Sequence, residues 1–545
     1  MHKQEESNQT HLELQLGKTF IRTVKRWSWA VFGACTLYQF VFFPEITNIV
    51  MIGAVALAWL IMTKIFLQQE TLRSYALSSL VVIGFTGTQF YFPLVFTTLE
   101  GKSLVYNLEL PETVFLHSLA GLLVLILAHK IYRLFNKLSF RRSFSILEMA
   151  GLYTPPTDSQ LWLMGAIGMG ATVYVYFTNP DIGWEVTGAA GGKFLQGLIP
   201  FTYAPFFIPF GKLYGRTQPA SKTQTPKLIA YTLILFVLAI GRNSTGTFVL
   251  GFTAIAFSYF LGLLLGMFET RIISRRNIAI ALVGTWVLLG PLADLRTAMV
   301  LVRGERLNIS ANELIPLTID TYLDKEAIRA QRKIDISEVI ESDWDEHYLD
   351  NDYTARFANL KFNDASLLMA EVVDKYDPDM LTYSVDYMLG LLPNPFVRAL
   401  KLDIDKDFIY SLSIGDYLYM TAGGYGEIAS FRTGHFAGTG MATFGWWYLF
   451  ILGIIIVPIF FLFDKFAKKK VVQEDGLQRT SLQFSFCGIL AITSIFLFLS
   501  NESVIIIINF LIRGYLQLIL LYSCLFHVTR VFTGNYFKRL RFGNR

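Results

Sequence analysis

Charge is scarce in this sequence. Asp, Glu, Lys and Arg make up 16% of it, against roughly 25% in a soluble domain. Hydrophobic residues reach 53% and the mean hydropathy is +0.44, which places the chain in the membrane class. Cysteine is scarcer still. Cys35, Cys487 and Cys524 all sit in apolar stretches, so neither a disulfide framework nor a Cys/His metal set is expected. The sequence also lacks a phosphate-binding glycine loop, a nucleophile elbow and a zinc motif. No cleavable signal peptide is expected, because the first apolar run follows a long polar stretch and carries no small-residue cleavage site. The net charge of +5 does not indicate nucleic acid as a partner, since its sign changes from segment to segment. No internal repeat is evident.

What is present is a series of long apolar runs. A bilayer core takes about 20 apolar residues per helix, and only closed backbone hydrogen bonding is tolerated there. The runs predict an all-α polytopic protein of about 12 transmembrane helices. Spans are expected near 27–43, 46–66, 75–96, 113–132, 161–177, 194–210, 228–241, 246–266, 277–295, 437–463, 480–499 and 504–524. Basic residues set the orientation. Lys18, Arg22, Lys25, Lys64, Arg73, Arg133, Lys212, Arg216, Arg271, Lys465 and Lys468 fall in alternate loops. Those loops are expected in the cytoplasm, with both termini inside and the chain in a bacterial inner membrane.

Three regions follow. Residues 1–295 would form a first membrane region and 436–545 a second. Between them, 296–435 holds 24 carboxylates and 14 Lys and Arg, a balance of −10. A structureless loop of this length is uncommon inside a compact chain, so it is expected to be a large, mainly helical domain on the outer side. Ala355–Lys375 has helical spacing, and Leu381–Leu392 reads as a second helix before Pro393.

Several polar residues stand where chemistry could occur. Arg242, in Gly241-Arg242-Asn243, lies between two spans at the outer boundary. It reads as an anion site, because its fork matches phosphate oxygens, or as an arginine snorkelling to water. Arg296, Arg303 and Arg306 cluster after the ninth span. They would face a lipid diphosphate or pair locally with Asp294 and Glu305. His435, where the acidic segment re-enters the membrane, is a candidate base or a surface histidine at a helix start. Arg432 is close enough in sequence to share a phosphate. Asp364 and Glu371, seven residues apart on one helix face, could form an acid–base pair. His117 reads as a hydrogen-bonded core residue, and the run Glu341–Asp352 around His347 as a solvated face.

Three short stretches resemble one family. Gly241-Arg242 is similar to a small-residue-then-arginine pair at the outer end of a span. Leu389-Gly390-Leu391-Leu392-Pro393 with Arg398 is similar to a proline-and-basic segment late in a large loop. Thr443-Phe444-Gly445-Trp446 is similar to an aromatic-Gly motif opening the next span, although the acidic residue usual before it is absent. These resemble the polysaccharide repeat-unit (O-antigen) polymerases. The resemblance implies packed helices with a periplasmic cavity under the large loop. It also implies transfer of a growing glycan from undecaprenyl diphosphate to another lipid-linked repeat unit, without cofactor or metal. A chain-length regulator and a flippase would be its partners, beside the bilayer. In this scheme Arg242, Arg296 and His435 are catalytic. Arg303, Arg432, Arg398, Asp364 and Glu371 bind substrate, and Trp344, Tyr348, Tyr417, Tyr419 and Tyr425 stack on sugars. An O-antigen ligase and a lipid-linked oligosaccharide transporter are the alternatives. Spans that mostly lack ionisable groups, Arg513 excepted, count against transport.

Overall fold

The computed structural model describes residues 2–138, 146–178, 190–216, 223–241, 245–269, 290–302, 311–330, 344–373, 375–424, 432–474 and 477–533, with single positions at 221, 274, 279, 283, 284 and 287. The chain is nearly all helical, and seven of its described helices are long and apolar enough to cross a membrane. The first helices are α1 (His2–Phe42), α2 (Ile46–Ile65), α3 (Ala76–Leu99), α4 (Pro111–Leu138) and α5 (Asp158–Val173). Then come α6 (Gln224–Gly241), α7 (Thr245–Leu264) and α8 (Pro291–Leu301). The acidic segment contributes α9 (Leu360–Val372), α10 (Pro378–Gly390) and α11 (Ile414–Thr421), besides the helix Ala311–Leu323 and shorter helical turns. The chain closes with α12 (Phe436–Phe444), α13 (Trp447–Asp464), the antiparallel strands β1 (Ala467–Glu474) and β2 (Leu477–Phe484), and α14 (Val504–Phe532).

Leu116, Leu123, Leu127 and Leu134 of α4 are exposed, and their spacings of seven and four place them on one helix face. Ile229, Leu233 and Val237 of α6, and Leu516 and Leu520 of α14, repeat the pattern. Apolar stripes of this extent mark a surface that meets something other than water. The opposite faces bury aromatics: Phe85, Phe90, Phe115, Phe436, Tyr448 and Phe460 are all sealed inside.

Local chemistry explains the departures from the expected spans. The stretch expected at 194–210 is a short helix followed by a 3₁₀ run, Ile199–Tyr214, with Pro205 and Pro209 inside it. Each proline removes a backbone donor and clashes with the preceding turn, so the α ladder cannot continue. The stretch expected at 480–499 begins in β2 and continues as two five-residue helices, Phe486–Leu490 and Ile492–Phe496. The run expected at 437–463 breaks between α12 and α13, where Gly445 adopts φ 52°, ψ −150°. That region of backbone space is essentially reserved for glycine. Most of 277–289 lies outside the described residues.

The two ends of the bundle differ in charge. At one end Asp464 accepts from the amides of Leu77 (3.0 Å) and Ser78 (3.1 Å), capping the start of α3. Here too Arg73 donates to the carbonyl of Leu265, and Lys468 contacts Glu148. α3 has 24 residues, about 36 Å at 1.5 Å per residue. At its far end, Glu100 accepts from the amides of Asp350 (2.8 Å) and Asn351 (3.0 Å), and Lys102 pairs with Asp350 at 2.6 Å. The acidic segment therefore covers the end opposite the basic loops.

Candidate functional site

At the acidic end, residues 344–424 fold back over the turn between α3 and α4. Asp364, fully buried on α9, accepts from the amides of Leu110 (2.8 Å) and Glu109 (3.1 Å). It thereby caps α4, where a negative charge meets the positive end of the helix dipole. Lys361 pairs with it at 3.0 Å and also donates to the Asn107 carbonyl. The expected pairing of Asp364 with Glu371 fails. Two helical turns separate them by about 10 Å. Glu371 is exposed while the Asp364 carboxylate is consumed by backbone amides.

The chain re-enters the bundle through Arg432–Phe436. Gly415 and Gly434 meet backbone to backbone there; a Cβ on Gly415 would lie 2.4 Å from the Arg432 carbonyl oxygen. Around the seam stand three carboxylates. Asp416 Oδ1 accepts from the Arg432 amide and from its Nη1, both at 3.1 Å. The Arg432 guanidinium also lies 4.0 Å over the Tyr419 ring. Glu346 accepts from the Thr433 amide (2.5 Å) and the Trp344 indole (2.9 Å). Glu502 accepts from the amide of Ile414 at 3.1 Å. Burial, reinforced by the charges of Asp416 and Glu346, pushes Glu502 up to about 7, and burial raises Glu346. Burial thereby makes Glu502 a carboxyl that can hold its proton near neutral pH at this seam. Sequence reasoning missed these three. Ser413-x-x-Asp416, a capping box in the fold, was visible as a helix start. Glu502 is marked only by the polar break Ser500–Ser503.

His435 is corrected from base to structural cap. Its Nδ1 accepts from the Ala437 amide (3.2 Å) at the start of α12, so Nε2 carries the ring proton. Gln89 Nε2 lies 3.0 Å from the ring Nε2; with the Gln89 amide turned over, its oxygen takes the Nε2 proton. Both nitrogens are occupied and the ring is buried. Burial, with His117 adding, pushes the imidazole down to about 3, so it remains neutral and uncharged at neutral pH. Its backbone amide donates to Ser366 Oγ at 2.7 Å.

The other expected residues disperse. Arg242, Arg303 and Tyr425 lie outside the described residues. Arg296, on α8, approaches Tyr353 of the acidic segment, whose hydroxyl donates to the Leu292 carbonyl. Arg398 is exposed on the short helix Asn394–Ala399, away from the seam's hydrogen bonds. Trp344 and Tyr348 are core residues, not sugar platforms: Tyr348 is sealed with its hydroxyl on the Leu104 carbonyl. The run around His347 is correspondingly anchored to the bundle, with Asn107 donating to the His347 carbonyl at 2.7 Å. Tyr417 stacks on Tyr383 at 3.8 Å. His117 is the core histidine expected, bonded to Tyr448 at 2.8 Å and stacked on Trp446.

Among the described residues, this end holds a cleft of about 450 Å³ between α9 and the turn after α11. Glu109, Asp345, Lys361 and Tyr419 give it polar groups, and Leu368 and Met369 an apolar wall. Asp345 is partly used, accepting from the His347 amide at 2.7 Å. Glu109 is exposed, and no hydrogen bond or ion pair holds its side chain among the described residues. No group of three or more His, Cys, Asp or Glu residues among the described residues could hold a metal ion. The fold and site define a helical protein with helices long and apolar enough to cross a membrane and a polar cleft at its acidic end. No family model, curated protein or solved structure matches the chain.

Proposed function

We propose that this chain is a polysaccharide polymerase of the bacterial inner membrane. It would move a growing glycan from undecaprenyl diphosphate to a lipid-linked repeat unit at the acidic end. In this reading about 12 spans cross the bilayer, the basic end faces the cytoplasm with both termini, and the acidic layer is the outer domain. The observation that carries the reading is the segregation of the two ends. The carboxylate-rich layer, with its open cleft, caps the end that the basic loops avoid, which matches the positive-inside rule for an outward-facing site. The short motifs that resemble the polymerases add to it.

The chemistry requires three things. A cation must hold the departing diphosphate, a cleft must seat the acceptor sugar, and a base must take the acceptor proton. Arg296 is the described candidate for the first, and Arg242 joins it on the strength of the resemblance. The cleft offers Glu109 as base in place of His435. The acceptor O–H gives its proton to the Glu109 carboxylate and the oxygen bonds to the anomeric carbon. The carbon–oxygen bond to the diphosphate breaks, with its electron pair leaving on the lipid diphosphate. The anomeric centre inverts.

The test is extension of lipid-linked repeat units by purified protein, with complementation of a deletion strain. Arg296→Ala and Glu109→Gln should each reduce polymer at least ten-fold while protein still reaches the membrane. Wild-type chain length from both variants would reject the mechanism. A deletion strain that attaches single units identifies a polymerase, whereas one that attaches none identifies a ligase.

A further inference from the structure

At the end opposite the carboxylate layer, α1, α2 and α4 enclose a second cleft of about 700 Å³. Lys18, Arg22 and Lys25 line it at spacings of four and three, so they share one face of α1. Lys64 in the last turn of α2 and Arg133 of α4 complete the ring, against the single carboxylate of Glu70. Among the described residues, none of these five cations forms an ion pair with a carboxylate. Arg133 lies 5.1 Å over the Tyr75 ring. The neighbouring Arg73, by contrast, is committed to the Leu265 carbonyl and to Glu13.

Five like charges around one concavity repel each other, and a multivalent anion relieves that repulsion. Phosphate oxygens suit both the ammonium and the guanidinium groups. The cleft also borders the apolar surface. Trp27 and Val31 are exposed just beyond the α1 cations, and Leu134 and Phe135 are exposed beside Arg133. A soluble phosphate would gain nothing from those side chains, whereas a lipid would lay its acyl chains along them.

We infer that this cleft binds the phosphate-bearing headgroup of an anionic membrane lipid. The site is independent of the glycan chemistry proposed at the other end. It exceeds a general positive surface, because the cations converge on one cavity from three helices.

The test uses the full-length protein, delipidated in detergent and exposed to phosphatidylglycerol or phosphatidylcholine, with retained lipid read by native mass spectrometry. Wild type should retain phosphatidylglycerol preferentially. Arg22→Gln with Lys64→Gln should weaken that retention about thirty-fold, the weight of two interfacial cations. Lys227→Gln with Lys465→Gln removes the same charge outside the cleft and should change nothing. Lys18→Gln with Lys25→Gln serves if the first pair is not recovered as folded protein. Equal losses from cleft and control variants, or no preference in wild type, would overturn the site. Displacement of the lipid by micromolar inorganic pyrophosphate would assign the cleft to a soluble phosphate and overturn the lipid.

Discussion

Asp364→Asn separates a structural carboxylate from a chemical one. The side chain is fully buried and Lys361 nearly so, at 0% and 3% exposure. Asparagine keeps the shape but removes the charge, and its NH₂ must then face either the Leu110 amide, in place of Oδ1, or the Glu109 amide and the Lys361 ammonium together, in place of Oδ2. Breaking a buried pair by neutralising one member costs about 3–5 kcal/mol, because the other charge is left uncompensated. Asp345 lies 3.5 Å from Lys361 and the Asn107 carbonyl accepts from it, so the cost falls at the lower end, about 3 kcal/mol. Lys361→Met alone leaves Asp364 on two backbone amides and should cost about 1–2 kcal/mol. In the double variant both charges are gone, and the coupling should return about 1–3 kcal/mol. Denaturant unfolding in detergent measures all three, with polymer length followed in a complemented strain. Activity should follow stability. If Asp364→Asn is as stable as wild type but makes no polymer, the carboxylate does chemistry and the capping role is wrong.

Further expectations concern the seam and the helix contacts. Glu502 ionises near pH 7 when folded and near 4.5 when unfolded. Its raised pKa stabilises the fold fully below pH 4.5, and that contribution is lost as the pH rises towards 7, on the order of 3 kcal/mol. Melting in detergent across that window should fall for wild type and stay flatter for Glu502→Gln; identical slopes would remove Glu502 as the source. A Cβ on Gly438 would meet the Ser366 backbone at 2.3 Å, so Gly438→Val should separate α12 from α9 and reduce folded yield in fluorescence size-exclusion profiles. Arg398→Ala and Glu371→Ala should stay within about 0.5 kcal/mol of wild type and leave polymer length unchanged. Loss of polymer in either would restore a substrate role.

Much of the architecture is legible in the sequence because hydrophobic length and helical period are local properties. The helices at 46–65, 111–138, 224–241 and 504–532 follow directly from apolar runs. Within the acidic segment, Leu360–Val372 sits inside the stretch read as helical, and Pro378 opens the next helix at its first turn. The stretch at 480–499 misled because hydropathy does not distinguish a strand followed by short helical turns from one long helix. Its continuation depends on packing; a Cβ on Gly84 of α3 would fall 1.8 Å from the Phe496 carbonyl oxygen. The burial of Trp344 and Tyr348 was equally invisible, because the acids around them suggest a solvated face, and only the docking onto residues 100–110 reverses that.

The site residues were less legible for one physical reason. A side chain's type states what chemistry it can perform, whereas its hydrogen-bond partners state what it is free to perform. His435 has the right type and the right place in the chain, yet its two ring nitrogens hold a helix terminus and a glutamine. Asp364 is equally suited by type and equally committed, to two amides and a lysine. Glu109 attracts no notice in the sequence, since it is one acid just before the proline that opens α4. The fold spends its backbone amide on Asp364 and leaves its carboxylate exposed at the cleft. Removing the Asp364 cap should therefore disturb Glu109 as well as α4, whereas Glu109→Gln should leave the cap and the helix intact. That asymmetry allows the two carboxylates to be told apart, since only a group unoccupied by the fold can lose its charge without a loss of stability.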